Sequence, residues 1–439
     1  MRTSAVARIV VMSVLALGLL IPLAWVYTLV AERASRRDAA AAEIGTTWGG
    51  QQYVAGPVLA VPYTVVRTDN SGRTDRVNCR AMFLPRDLQI DGSLRAETRA
   101  RGIFDVVVYH AQLKLSGRFA RLATNDLVAD SIDWSRATVN VGVSDPRGLT
   151  ERTTLKWNGQ AIAMTGGITD VGLFASGLHA DVAVDGATAS AAQIPFELTL
   201  QVNGTRELRF VPNAEETVAA LSGSWPHPSF DGRALPDTRS IGGDGFVAHW
   251  RVQDFARAFP ARWLTPQMNR EQLAQQANDA SFGLSLVQPV DIYQQSERAV
   301  KYAALFVVLT FLVFFLWEIF HAALLHPVQY MFVGFALCVF YLLLVSLSEH
   351  VGFDRAYSLS ASVTTLLIGG YAWSILGGAG AGVSVIAALT TLYSFLYLLL
   401  RLEDYALLAG SVALFLILAF VMFVTRRMNW YELKLGSES

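Results

Sequence analysis

The sequence predicts a membrane protein of the α plus β class. It should have an N-terminal transmembrane anchor, an extracytoplasmic antiparallel β-rich, sandwich-like domain and a C-terminal five-helix transmembrane bundle. Three observations carry this. The chain has 439 residues, of which 53% are hydrophobic and only 16% charged, whereas a soluble chain carries about 25% charged residues. The apolar residues gather into one run near the N-terminus and five near the C-terminus, each long enough to cross a bilayer. Between them lie some 250 residues in which apolar and polar positions alternate with the period of a strand.

The anchor is "IVVMSVLALGLLIPLAWVYTLV", residues 9–30. It is longer than the apolar core of a cleaved signal peptide, and it ends in Trp25 and Tyr27, residues that favour a membrane interface. The good helix formers of "AERASRRDAAAAEI" extend the helix beyond the membrane.

The β-rich domain is expected over 45–262. In "IPFELTLQVNG", Ile194, Phe196, Leu198, Leu200 and Val202 alternate with polar partners, and Val107, Tyr109, Ala111, Leu113 and Leu115 do the same in "VVVYHAQLKLSG". "ATVNVGV" and "GFVAHWRV" read as further strands. Asn158-Gly159 and Asn203-Gly204 supply residues that tolerate positive φ, so each predicts a hairpin turn. The polar segment 263–297 reads as a linker or short helix. The five-span region then covers 298–425, with crossings at about 301–320, 327–347, 356–376, 383–400 and 405–425, and a cytoplasmic tail at 426–439.

Six crossings put both termini on one side. Arg2 and Arg8 before the first span, with Arg426, Arg427 and Lys434 after the last, make that side the cytoplasm. Arg33, Arg36, Arg37, Arg298 and Lys301 flank the opposite ends, but long domains translocate largely regardless of charge. On this topology "LSEHVGFDRAY" and "RLEDYA" are outer loops.

The net charge of −1 and the lack of a basic stripe argue against a nucleic-acid partner. The two cysteines, Cys79 and Cys338, lie in different regions and form no zinc or redox motif, so they read as inert thiols. No GxSxG, HExxH or GxxxxGK[ST] motif is present, and no metal-ligand spacing. The sequence therefore points to no catalytic residue, no cofactor and no metal. A charge deep in a membrane is costly and usually works, so the charged residues of the spans and loops are the candidates. Glu349, His350, Asp354 and Arg355 lie between two spans; they form either a solvated loop or a polar cluster with Arg401, Glu403 and Asp404. Glu318, near the inner end of its span, either reaches the interface or is a functional carboxylate. In "GSWPHPSFDG", Trp225, His227 and Asp231 sit among prolines and aromatic residues, as either a partner-binding loop or a rigid connection packed on the β domain.

Long stretches of the chain resemble the CreD family, inner-membrane colicin-tolerance and cell-envelope integrity proteins of Gram-negative bacteria. They include "GSWPHPSFDG", "SFGLSLVQPVDIYQQSERAVKYAALFVVLTFLVFFLWE", "LHPVQYMFVGFALCVFYLLLVSLSEHVGFDRAY", "RLEDYALLAGS" and "MFVTRRMNWY". The resemblance implies an inner-membrane protein with a periplasmic domain. Its expression would answer to a CreBC-type two-component system, with links to envelope stress and β-lactam response. It implies no catalytic activity. The partners expected are the lipid bilayer and an envelope protein, lipid or polymer. The alternative reading is a transporter or channel-like protein built on the five C-terminal spans, against which the scarcity of mid-membrane charges counts.

Overall fold

A computed structural model describes residues 5–68, 74–122, 124, 127, 129–185, 188–189, 191–265, 269–288, 292–321, 325–376, 378–402 and 405–426. The chain forms two compact units. One is a β unit of residues 38–289; the other is a helical unit of residues 1–37 with 290–439. The first helix, α1 (Ala5–Trp48), contributes to both.

In chain order the first strands are β1 (Gln52–Thr68), β2 (Thr74–Phe83), β3 (Asp87–Arg101), β4 (Phe104–Ala120), β5 (Ser131–Ile132) and β6 (Ala137–Val143). Next come β7 (Thr154–Trp157), β8 (Gln160–Ala163), β9 (Thr165–Gly166), β10 (Gly177–Val182), β11 (Gln193–Thr205) and β12 (Glu207–Phe210). The series continues with β13 (Glu216–Gly223), β14 (Pro228–Gly232), β15 (Thr238–Gly242), β16 (Gly245–Gln253) and β17 (Arg262–Leu264). Helix α2 (Arg270–Asp279) and strand β18 (Phe282–Leu286) complete the unit.

Among the described residues these strands form two sheets. The eight-stranded sheet has the order β15-β16-β13-β3-β4-β11-β7-β8. The ten-stranded sheet runs β14-β18-β12-β1-β6-β10-β9, with β2 and β5 on β1 and β17 on β2. The alternating residues face one shared core: Leu113 and Leu115 of β4, Leu198 and Leu200 of β11, and Phe210, Trp250 and Phe282 are all buried in it. Antiparallel pairing dominates as expected, but β1 pairs β12 in parallel, and β13 pairs β3 in parallel. The end of α1 covers the second face of β4, where Ala41 buries Val106 and Val108, with Ile44 and Trp48 packed alongside.

One expected hairpin forms and the other does not. Asn158 (φ 46°) and Gly159 (φ 84°) make the two-residue turn between β7 and β8. Asn203 and Gly204 instead lie inside β11, paired with His110 and Tyr109, and the left-handed residue is Arg206 (φ 62°). The residues after Arg206 are needed on the other sheet, where β12 fills the gap between β1 and β18.

The region expected as a linker, 263–297, is largely part of the β unit. Asn269 caps α2, its Oδ1 accepting from the amides of Glu271 (3.0 Å) and Gln272 (3.3 Å). α2 buries Leu273 and Ala277 with Val58, Met82 and Trp263. β18 pairs with both β12 and β14. The polar composition of α2 reflects its exposed face, not a lack of structure.

The helical unit continues with amphipathic α3 (Ile292–Lys301), then α4 (Ala303–Phe320), α5 (Pro327–Val351), α6 (Phe353–Ile375), α7 (Ala379–Arg401) and α8 (Ala406–Thr425). Among the described residues, five helices are long and apolar enough to cross a membrane: α1, α4, α5, α7 and α8. The remaining expected span, α6, has 23 residues but carries Ser358, Ser360, Ser362, Thr364 and Thr365, and falls outside that set. Two of its hydroxyls are turned back on the helix: Ser358 donates to the Asp354 carbonyl (2.9 Å) and Ser362 to that of Ser358 (2.7 Å). α6 runs antiparallel to α7 along its length. Tyr357 donates to the Tyr393 carbonyl (2.6 Å) near one end, and near the other a Cβ added to Gly382 would stand 3.2 Å from the Gly369 carbonyl oxygen. Cys79 and Cys338 are both buried free thiols.

The glycine contact predicts a stability effect. A Cβ on Gly382 would stand 2.8 Å from that of Trp373, so Gly382→Val should separate α6 from α7 and cost about 1–3 kcal/mol. A thermal melt of the detergent-solubilised chain should show a clearly lowered Tm. Gly380→Ala, where no atom lies within 4 Å, should leave it nearly unchanged.

Candidate functional site

The candidate residues fall into three clusters, two in the helical unit and one in the β unit. Glu318 is buried near the end of α4. Its side chain is 1% exposed and forms an ion pair with Arg8 of α1. Its carboxylate also accepts from the Tyr330 hydroxyl (2.9 Å) and the Leu325 amide (3.3 Å). Three partners from α1, α5 and the connecting segment converge on it. Proline at the first turn of α5, with a His326–Gln329 capping box, starts that helix so that Tyr330 faces the cluster.

The charges of "LSEHVGFDRAY" divide at Gly352, whose φ of 80° ends α5. Glu349, at the end of α5, is 7% exposed. It accepts from the Tyr293 hydroxyl of α3 (2.9 Å) and lies 3.8 Å from Arg33 of α1. The Arg37 guanidinium stands 5.8 Å from the Tyr293 ring centroid. Burial, and next the hydrogen bond to Glu349, push the Tyr293 hydroxyl well above its usual range, so it remains a donor at physiological pH. Asp354, one residue into α6, is exposed and pairs with Arg401 of α7 (2.6 Å), with Tyr397 donating to its other oxygen (3.0 Å). Of the loop charges, Asp354 and Arg401 are thus paired with each other at the surface. His350 faces the Ser346 carbonyl (3.0 Å) on its own helix, and Arg355 is exposed. Glu403 and Asp404 lie outside the described residues.

The WPHP segment is built into the sheet. Trp225 Nε1 donates to the Val287 carbonyl (2.9 Å), and Phe230 packs edge-on to Phe246 and Trp250. Asp231 accepts from Ser285 (2.7 Å) and pairs with Arg209 (2.9 Å). His227 is exposed, and its carbonyl accepts from the Val287 amide (3.3 Å). The geometry is that of a rigid edge strand. The segment leads out of a trough of about 780 Å³ on the outer face of the eight-stranded sheet, lined by Ser93, Gln112, Gln201 and Ser222 among others.

Sequence reasoning missed Arg8, Arg33, Tyr293 and Tyr330. Arg8 and Arg33 were legible only as topology signals, and nothing in the sequence singled out the two tyrosines. Arg8, Tyr293 and Tyr330 each lie within about one turn of a helix start, whereas Arg33 lies well inside α1.

The arrangement ties helix ends together. The family described as "Inner membrane protein CreD" matches residues 4–431 of this chain. The chain belongs to the CreD family. It is also 32% identical over 421 residues to "Inner membrane protein CreD" of Escherichia coli (strain K12), covering 95% of this chain and 92% of that relative. Membership of this family makes it an inner-membrane protein, consistent with the five apolar helices among the described residues.

Two predictions follow from the cluster geometry. Removing one partner of a buried pair strands a charge at a cost of about 3–5 kcal/mol. Glu318→Gln and Arg8→Ala should each lower membrane abundance on an immunoblot, and the double variant should recover part of the loss. Asp354→Asn, at an exposed pair worth about 0–1 kcal/mol, should stay near wild-type abundance, whereas Glu349→Gln should fall below it.

Proposed function

We propose that this CreD-family protein is a non-enzymatic envelope-integrity protein, linked to colicin tolerance and the β-lactam response. It acts through its β unit on an envelope component in the periplasm. The observation that carries this reading is the division of polar chemistry. In the helical unit the candidate acids Glu318, Glu349 and Asp354 are each tied to an arginine, while the large polar trough lies in the β unit. The membrane-facing groove of 540 Å³ between α1 and α4 is apolar, lined by Ile9, Met12, Val308 and Phe315 among others, as suits a lipid neighbour.

On this reading α6 is the sixth crossing, both termini are cytoplasmic and the β unit is periplasmic. The antiparallel contacts of α6 with α7 support the crossing. The transporter reading draws support from a different observation. The hydroxyls of Thr310, Tyr341, Ser360 and Tyr393 are buried without a hydrogen-bond partner among the described residues.

A reporter active only in the periplasm should light up when inserted at Gly243, in the turn between β15 and β16, and stay dark at the C-terminus. Light at both positions would show that α6 does not cross. A dark Gly243 fusion would overturn the orientation. The functional half is checked by a chain ending at residue 289, which keeps α1 and the β unit. It should retain envelope tolerance; complete loss at normal abundance would favour the transporter.

A further inference from the structure

We propose that the outer face of the eight-stranded sheet is a binding trough for a neutral, linear polysaccharide bearing hydroxyl and amide groups. This deepens the proposed function and rests on the reading that the β unit faces the envelope.

The strand register builds the trough. Reading across the sheet, Ser240 of β15 lies opposite Val247 of β16, which lies opposite Ser222 of β13. Ser222 is level with Ser93 of β3, Ser93 with Gln112 of β4, and Gln112 with Gln201 of β11. This row crosses six strands without a charge. At about 4.8 Å per strand it extends about 24 Å. The floor is low because its central positions hold serines, and longer side chains stand beyond them. A second hollow of 440 Å³ continues the first and shares Ser93, Gln112, Ser222 and Val247 with it.

The chemistry of the lining selects the ligand. Hydroxyl and carboxamide groups both donate and accept hydrogen bonds, as sugar hydroxyls and acetamido groups also do. The charged residues cancel: Arg95 and Asp244 line the larger hollow, Asp91 and Lys114 the smaller. Asp91 already accepts from Gln89 (3.0 Å), and Lys114 pairs with Glu197 (3.3 Å). A phosphate-rich or sulfated polymer would find no net attraction. An extended peptide binds a sheet through the free main-chain groups of an edge. Here the main-chain groups of β13, β3 and β4 are spent in the ladder, so only side chains are offered. The trough is open and long, which suits a chain crossing it, not an enclosed small molecule.

The test uses the full chain in phosphatidylcholine nanodiscs, which avoids sugar detergents. The probe is chitotetraose at about millimolar concentration, read by saturation-transfer difference NMR. Wild-type protein should give transfer to the sugar. Ser93→Trp, which fills the floor, and Gln112→Ala, which removes one amide without adding bulk, should each weaken binding at least tenfold, with Tm unchanged. Gln275→Ala on α2 should bind as wild type. No transfer to chitotetraose from folded wild-type protein overturns the assignment, as does equal binding by both trough variants, or stronger binding of a sulfated oligosaccharide. The two levels separate in cells. Tolerance lost in Ser93→Trp without any chitotetraose binding by wild type sinks the polysaccharide and leaves the envelope reading. Binding by wild type with tolerance intact in Ser93→Trp supports the site and overturns its part in tolerance.

Discussion

The helical unit depends on the pairing of Glu318 with Arg8. A carboxylate that is 1% exposed is tolerable in a membrane only if its charge is met and its oxygens are bonded. Arg8 meets the charge; Tyr330 and the Leu325 amide bond the oxygens. The consequence is architectural. The start of α1, the end of α4 and the start of α5 must come to one level, which makes α1 antiparallel to α4. The remaining helices inherit that frame. Midway along α1, Tyr27 donates to Glu297 of α3 (3.1 Å), and Arg33 approaches Glu349, so α1 is held to the helical unit at two levels.

The β unit is closed by its last strand. β18 returns after α2 to sit between β12 and β14, and its Phe282 joins the aromatic group of Phe210 and Trp250 in the core. The two parallel pairs have the same origin. β12 and β13 are consecutive but belong to different sheets, so each docks beside a strand laid down much earlier. β13 against β3 sets Ser222 level with Ser93, and that one register creates the uncharged row across the outer face.

Periodicity carried much of this into the sequence. The alternation in β4 and β11 made their buried faces legible, because one residue in two points inward. The turn at Asn158-Gly159 was legible because its neighbours could pair directly across it. The same dipeptide at 203–204 misled, since nothing local shows that β12 is claimed by the other sheet. The segment 263–297 was opaque for a related reason: α2 buries one narrow stripe, and β18 is five residues long, too short for a periodic signal. In the helical unit, the loop charges were legible as a group but their partners were not. Pairing with Arg33 or Tyr293 is long-range, and hydropathy records only the length of a span. α6 lies between these cases: its serines lower its hydropathy, while Ser358 and Ser362 bond back to the helix and cease to be a polar cost.

Glu349 and Asp354 show why neighbours in sequence do different work. In one continuous helix, residues five apart would point in directions about 140° apart and still share a surface. Gly352 breaks the helix between them, so each belongs to a separate rod. Glu349 closes α5 onto α1 and α3, where Tyr293 and Arg33 shield it from water. Asp354 opens α6 toward α7, where Arg401 and Tyr397 hold it at the surface. One short connection thus joins α1, α3 and α5 on one side to α6 and α7 on the other. Neutralising Glu349 removes the charge that the Tyr293 hydroxyl and Arg33 meet on the buried side, while neutralising Asp354 leaves Tyr397 and Arg401 free to turn to water. The difference in cost between two acids on one loop comes from what surrounds them, and the glycine between them sets it.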